Sequence, residues 1–351
     1  MAFCKSSLGH KRTMPACPGG KFRRTGHASA KSAHAARGIS FAPTNARHGA
    51  IIGCTQKGVF PTLRVQLFFE GVGGDEFMLR FCMTVVALLG VFSAELSAQG
   101  LRVSTVVYDA SKLDAAGREP VVSSSFSLFH TGRVYDYVES LGEVVIFEPA
   151  SKRFTVLNSV QGVYATIAFA EITRLLDARE PQTQQYIKDL IATQSTDAER
   201  AARMLQFQLH PEFENKFDSR SGNLVLSSPS WKYTVSTREW AEPEQVEKYL
   251  AYTDWTAKLN CVLHPSSMFP EPRAALNEEL RKLDNRMPVV VHLDLRPDER
   301  CILRAEHQFV LNLTDRDRSL INGWNEALKS NELKKLPFRG YQQVVLVSQR
   351  R

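Results

Sequence analysis

Two pairs of side chains in this sequence have the types and spacing for chemistry, and the first is His292 with Asp294. They are two residues apart in an alternating segment, so on a β-strand both would project from one face. A histidine beside a carboxylate can act as a general base or hold a metal ion. The plainer interpretation is a solvated polar face of a half-buried strand. We prefer it because the other histidines after residue 98 are scattered.

The second pair is Cys261 with Cys301, the two cysteines that follow residue 98. In an oxidising compartment they could form a disulfide that closes a loop of 40 residues and adds about 3 kcal/mol of stability. The alternative is two thiols, with Cys301 buried on the apolar face of its strand.

Established catalytic motifs are missing from the sequence. It contains no GxSxG, no P-loop, no HExxH and no CxxC. His307 lies on an apolar strand face, where a histidine of the core is expected. We therefore predict no catalytic centre, no cofactor and no metal site, with His292 and Asp294 as the weak exception.

The basic charge of the chain is confined to its first part. Residues 1–77 carry 11 basic and three acidic side chains, whereas the remainder carries 33 basic and 34 acidic ones. A near-neutral body gives no electrostatic reason to expect a nucleic-acid partner. We predict that residues 1–77 form an unstructured leader. Either they precede the true start at Met78, or they form a leader that loosely resembles an organelle transit peptide.

Residues 78–98 have the three-part pattern of a secretory signal peptide. Arg80 supplies the positive end, Phe81–Ala94 is an apolar run of 14 residues, and Ser97-Ala98 supplies small residues before the cut. The run is shorter than the roughly 20 residues of a transmembrane helix. We predict cleavage after Ala98, with Ala94 as the alternative, and an exported protein, periplasmic or extracellular, with no membrane span after cleavage.

Residues 99–351 read as a single α+β domain, a curved antiparallel meander packed against several helices. Closely spaced alternating segments with turns at Gly132 and Gly142 favour antiparallel pairing. Further expectations are a helix opened by Pro181, a capping box from Thr196 to Glu199, helices opened by Pro243 and Pro272, a helix capped by Thr314 with Asp317, and a closing strand at Val344–Val347.

The order of elements resembles the lipoprotein-carrier (LolA-like) superfamily over about half of this domain. The resemblance is carried by the meander of Ser127–Phe169 with Phe147-Glu148-Pro149-Ala150, followed by Leu224-Val225-Leu226 and Trp231–Val235. It implies a curved sheet that wraps around helices and encloses an apolar cavity. The helical section from Pro243 to Asp284 departs from that family.

A second resemblance is to uncharacterised secreted proteins of planctomycete-type bacteria. It rests on Tyr252-Thr253-Asp254-Trp255 with Leu259-Asn260, and on Pro272-Arg273 with Leu276-Asn277. That resemblance implies no activity.

The function predicted from the sequence is that of an exported, non-enzymatic binding protein. Its partner would be a lipid or apolar small molecule, or another envelope protein, and the helix around Ala168–Arg179 is expected to fill part of the sheet's concavity. The alternative is an exported hydrolase with a site assembled around His292 and Asp294.

Overall fold

A single twelve-stranded sheet organises the fold of the described residues, which in this computed structural model are 100–264, 267–295 and 301–348. The strand order is β12-β6-β5-β4-β3-β2-β1-β11-β10-β9-β8-β7, and every pair is antiparallel except β12 with β6. Open sheets this wide curl. The strands are β1 (Leu101–Asp109), β2 (Val121–His130), β3 (Arg133–Val138), β4 (Glu143–Glu148), β5 (Arg153–Asn158), β6 (Val163–Ala168), β7 (Glu214–Asp218), β8 (Asn223–Ser227), β9 (Trp231–Glu239), β10 (Arg286–Leu295), β11 (Cys301–Leu311) and β12 (Lys334–Lys335).

Helices pack on both faces of this sheet. They are α1 (Phe169–Ala192), α2 (Thr196–Leu209), α3 (Pro243–Leu263), α4 (Glu271–Arg281), α5 (Asp315–Lys329) and α6 (Phe338–Ser348). The predicted fold class, an antiparallel sheet packed against several helices, is confirmed.

Tight turns set the register of the first six strands. Between β2 and β3, Thr131 and Gly132 both have positive φ, 46° and 73°. Two such residues form the type I′ loop whose twist matches that of the flanking strands. Gly142, predicted as a turn, also has a positive φ, 57°.

Alternation along each strand divides the sheet into two apolar faces. On the inner face, Val134, Phe147 and Val156 join a core with α1, α3 and α6. On the outer face, Tyr135 and Ile146 lie beneath α5.

Helix α3 is the main filling of the inner face. Tyr249 and Leu250 belong to the core formed with β1 and β8–β11, whereas Leu259 and Leu263 belong to the core formed with β3–β6. The expected contribution of Ala168–Arg179 is present but smaller, because few of its side chains are buried. The section Pro243 to Asp284 therefore contains the helix that covers most of the inner face.

Three local predictions need correction. Val344–Val347 belongs to helix α6, not to a strand, since Tyr341 and Val345 are buried at helical spacing. Pro181 lies inside the continuous helix α1 and does not open a new one. The cap of α2 is Ser195, whose side chain accepts a hydrogen bond from the Ala198 amide, and not Thr196.

The remaining helix starts follow the sequence. Pro243 is the first residue of α3, Pro272 lies in the first turn of α4, and Thr314 with Asp317 forms the predicted capping box of α5.

Candidate functional site

A cavity of about 110 Å³ lies between the inner face of the sheet and helices α3 and α4. We call it the inner cavity. The sheet contributes residues from β1, β2, β3, β9 and β10. The side chains used below are Val103, Thr105, Ser127, Asp136, Trp231, Tyr233, Tyr249, Tyr252, Thr256, Ala257, Met268, Phe269, Arg273, Val291 and Leu293.

Polar side chains form the floor of the inner cavity, although the surrounding strands are apolar. Asp136, only 4% exposed, accepts a hydrogen bond of 2.8 Å from the Ser127 hydroxyl. Their strands pair these two residues directly, and Val103 lies opposite Ser127 on β1.

His307 lies beside this floor on the same face of the sheet, paired with Thr105 in the β1–β11 register. Its Nδ1 is 2.9 Å from the Thr105 hydroxyl, while its Nε2 has no hydrogen-bond partner. Burial, reinforced by the positive charge of Arg273, lowers the pKa of His307 to about 3. The imidazole is therefore neutral at physiological pH. The prediction of a core histidine is confirmed in position, though only one ring nitrogen is satisfied.

Three tyrosines form aromatic walls of the inner cavity. Burial raises the pKa of Tyr233 to about 12 and also raises that of Tyr249. Burial, together with the carboxylate of Asp136, raises the pKa of Tyr252 well above its ordinary value. All three hydroxyls therefore keep their protons at neutral pH and can donate hydrogen bonds.

Arg273, from the first turn of α4, brings a cation to the same cavity. Its Nε and Nη2 are buried and have no hydrogen-bond partner. The Tyr249 hydroxyl, the Trp231 indole nitrogen and the Thr256 hydroxyl share this condition. These five polar atoms belong to four side chains that line one small cavity. None of them forms a well-aligned hydrogen bond, although Tyr249 lies within weak polar contact of Arg273, Trp231 of Tyr233, and Thr256 of Tyr252. Buried polar groups in folded proteins are nearly always paired with protein or with a bound molecule.

Contacts between α3 and α4 hold Arg273 in place. Asn277, fully buried, donates to the Thr253 hydroxyl at 3.0 Å and to the Asp254 carboxylate at 2.6 Å. Arg281 also binds Asp254, at 2.6 Å. Thr253 and Asp254 lie in one of the sequence segments quoted above, and Arg273 and Asn277 lie in the other. The sequence contained no signal that the two segments face one another.

A second cleft, of about 980 Å³, lies on the other side of α3. We call it the outer cleft. Phe147, Phe169 and Trp255 supply apolar walls, and the rings of Phe169 and Trp255 stack with centroids 3.8 Å apart. Both basic and acidic side chains line it, among them Lys152, Lys248, Arg133, Glu242 and Glu244.

His292 and Asp294 do lie on one face of β10, as predicted, but on the face opposite the inner cavity. Val291 and Leu293, which alternate with them, line the cavity instead. His292 lies across from Arg304, and Asp294 lies across from Lys232. Burial and the Arg304 charge lower the pKa of His292. His292 is partly exposed, but Asp294 is only 9% exposed, so a solvated polar face describes the histidine and not the aspartate.

Cys261 and Cys301, for which the sequence left a disulfide open, are not joined to one another in this structure. Cys261 is buried in α3 beside Ile187 and Phe269, and burial raises its pKa to about 11. Cys301 begins β11 and packs against the other core cluster. The predicted cleavage site at Ala98, the signal peptide and the leader lie outside the described residues.

Within the described part of the chain, no cluster of three or more histidine, cysteine, aspartate or glutamate side chains could hold a metal ion. None of the described helices combines the length and apolarity needed to cross a membrane. No protein-family model and no curated protein matches this chain.

Proposed function

We propose that this protein is an exported, non-enzymatic binding protein that holds a small organic molecule in the inner cavity. The observation that carries the proposal is a set of five buried polar atoms without a well-aligned hydrogen bond, all on side chains that line one cavity: Trp231, Tyr249, Thr256 and Arg273. Each buried polar atom without a partner costs about 1–3 kcal/mol. An occupant with matching polar groups removes those costs.

The size of the inner cavity favours a small ligand over a lipid chain. A cavity of roughly 150 Å³ holds one benzene molecule, and the inner cavity measures about 110 Å³. The buried Asp136 and the buried edge of Arg273 would also be poor neighbours for an acyl chain. The lipid expected from the sequence is therefore replaced by a small molecule with polar ends.

Binding is proposed in place of catalysis because the groups that line the cavity are held in unreactive states. The tyrosine hydroxyls resist deprotonation, and His307 is neutral with its Nδ1 engaged by Thr105. A general base needs a pKa near the working pH.

Two alanines of α3 provide a matched test. Ala257 lines the inner cavity and Ala251 lines the outer cleft, and both are partly exposed. The full chain is purified from its native source and denatured, and the released small molecules are quantified by mass spectrometry. We expect about one molecule per chain from the wild type and from Ala251→Phe, and little from Ala257→Phe, because the phenyl ring fills the inner cavity.

Two outcomes would contradict the proposal. One is release of nothing but solvent and buffer from the wild type. The other is equal release from the wild type and a folded Ala257→Phe variant.

A further inference from the structure

We propose that the inner cavity recognises a small zwitterion, with its carboxylate held at Arg273 and its ammonium group at Asp136. This inference rests on the proposed binding function and adds the chemical class of the ligand.

Arg273 and Asp136 carry opposite charges and line the same cavity without forming an ion pair with each other. Neither forms an ion pair with another described residue. A buried charge is costly unless it is paired. A molecule with a negative and a positive end would pair both, whereas an inorganic anion would leave Asp136 without a counter-charge.

The hydrogen-bond donors of Arg273 suit a carboxylate. Nε and Nη2 of Arg273 form one edge of the guanidinium, and that edge matches the two oxygens of a carboxylate. The Tyr249 hydroxyl, which lies beside Arg273, and the Trp231 indole N–H are further donors on side chains that line the cavity. A carboxylate has about four lone-pair positions and can accept bonds from all of these donors.

The surroundings of Asp136 suit a cationic group. Asp136 is anchored by Ser127 and lies close enough to Tyr252 to raise the pKa of that tyrosine. The rings of Trp231, Tyr233, Tyr249 and Tyr252 also line the cavity, and aromatic faces attract ammonium and quaternary ammonium groups.

Apolar side chains also line the inner cavity. Val103, Val291, Leu293, Met268 and Phe269 can contact the carbon body of the ligand. With a cavity of about 110 Å³, that body is limited to a few carbon atoms. Small α-amino acids and betaines share this chemistry.

The test measures thermal shifts and calorimetric affinities of the full chain for two matched series. The first contains L-alanine, ethylamine and propionate. The second contains glycine betaine, tetramethylammonium and 3,3-dimethylbutanoate. The zwitterion of at least one series should bind roughly tenfold or more tightly than either analogue with a single charge. The series that binds tells a primary from a quaternary ammonium ligand.

Two variants assign the two ends. Arg273→Gln should weaken binding of the zwitterion and of the carboxylate analogue, with no effect on the amine analogue. Asp136→Asn should weaken binding of the zwitterion and of the amine analogue only. Ala251→Phe, in the outer cleft, should change none of these affinities, and the melting temperature of each variant reports its folding.

Failure of the zwitterion proposal and failure of the binding function give different results. If the molecule released by the native protein lacks either charge, yet is lost in Ala257→Phe, the binding function holds and the zwitterion is wrong. Equal affinities for a zwitterion and its analogues would also overturn the zwitterion. If no molecule is released and neither series binds, both proposals are wrong. A released zwitterion outside the two series supports both when Arg273→Gln and Asp136→Asn each reduce its retention.

Discussion

His307 is buried, and burial together with the charge of Arg273 lowers its pKa to about 3. Thr105, Tyr249 and Arg273 are its polar neighbours. In the unfolded chain its pKa is about 6.5. Between pH 6.5 and 3 the unfolded state therefore binds a proton that the folded state does not. Stability is complete above pH 6.5 and decreases as the pH falls through this window, by at most about 1.4 kcal/mol per pH unit.

We predict that His307→Gln flattens this acid dependence between pH 6.5 and 5, above the range in which most carboxylates titrate. The measurement is the free energy of unfolding in urea as a function of pH. His292→Gln is the matched control: His292 is only partly buried, so it should leave most of the slope unchanged. Equal slopes in wild type and His307→Gln would show that His307 is protonated in the folded state.

Among single residues, the sequence predicted a candidate site only at His292 and Asp294, a histidine and a carboxylate close together in the chain. His292 and Asp294 attracted attention because they are two residues apart, yet the register turns them away from the inner cavity. Asp136 and Arg273 come from β3 and α4, 137 positions apart in the numbering, and only the tertiary fold places them around one cavity. No local pattern could have connected them.

Among the elements, the α3–α4 pair determines where Arg273 lies. Asn277 is fully buried and its amide joins Thr253 and Asp254 of α3. We predict that Asn277→Ala lowers the free energy of unfolding by about 1–3 kcal/mol, because the substitution leaves buried partners unpaired. It should also speed amide hydrogen exchange in α4.

Glu278→Ala is the control for this prediction, since Glu278 lies on the exposed side of α4. Its change should stay within about 0.5 kcal/mol. If Asn277→Ala unfolds at the same urea concentration as Glu278→Ala, with unchanged exchange in α4, the hydrogen bonds of Asn277 do not hold the helix pair together.

Elements with long periodic patterns were predicted correctly, and short apolar runs were not. Strand β11 alternates over its whole length, and Thr314 with Asp317 marks the start of α5. Val344–Val347 contains four residues whose composition suits either a strand or a helix. The burial of Phe338, Tyr341 and Val345 decides for a helix, and burial against the sheet is a tertiary property.

For the molecule as a whole, the sheet has two edges and both are polar. Strand β12 consists of two exposed lysines, and β7 carries mostly exposed polar side chains. Charged and short edge strands discourage pairing with another sheet. Both edges of the sheet are therefore poor templates for pairing with a further strand.

The last prediction concerns the start of the mature protein. The first described strand, β1, begins at Leu101, and the described chain begins at Gly100, so cleavage after Ala98 would leave every described element intact. The apolar run Phe81–Ala94 with Arg80 before it motivates export. We predict that N-terminal sequencing of the native protein reads Gln99-Gly100-Leu101, and that the protein fractionates outside the cytoplasm. An Ala98→Arg substitution should block cleavage at this position. A native protein that retains Phe81–Ala94 and stays in the cytoplasm would rule out export. Any ligand of the inner cavity would then be a cytoplasmic molecule.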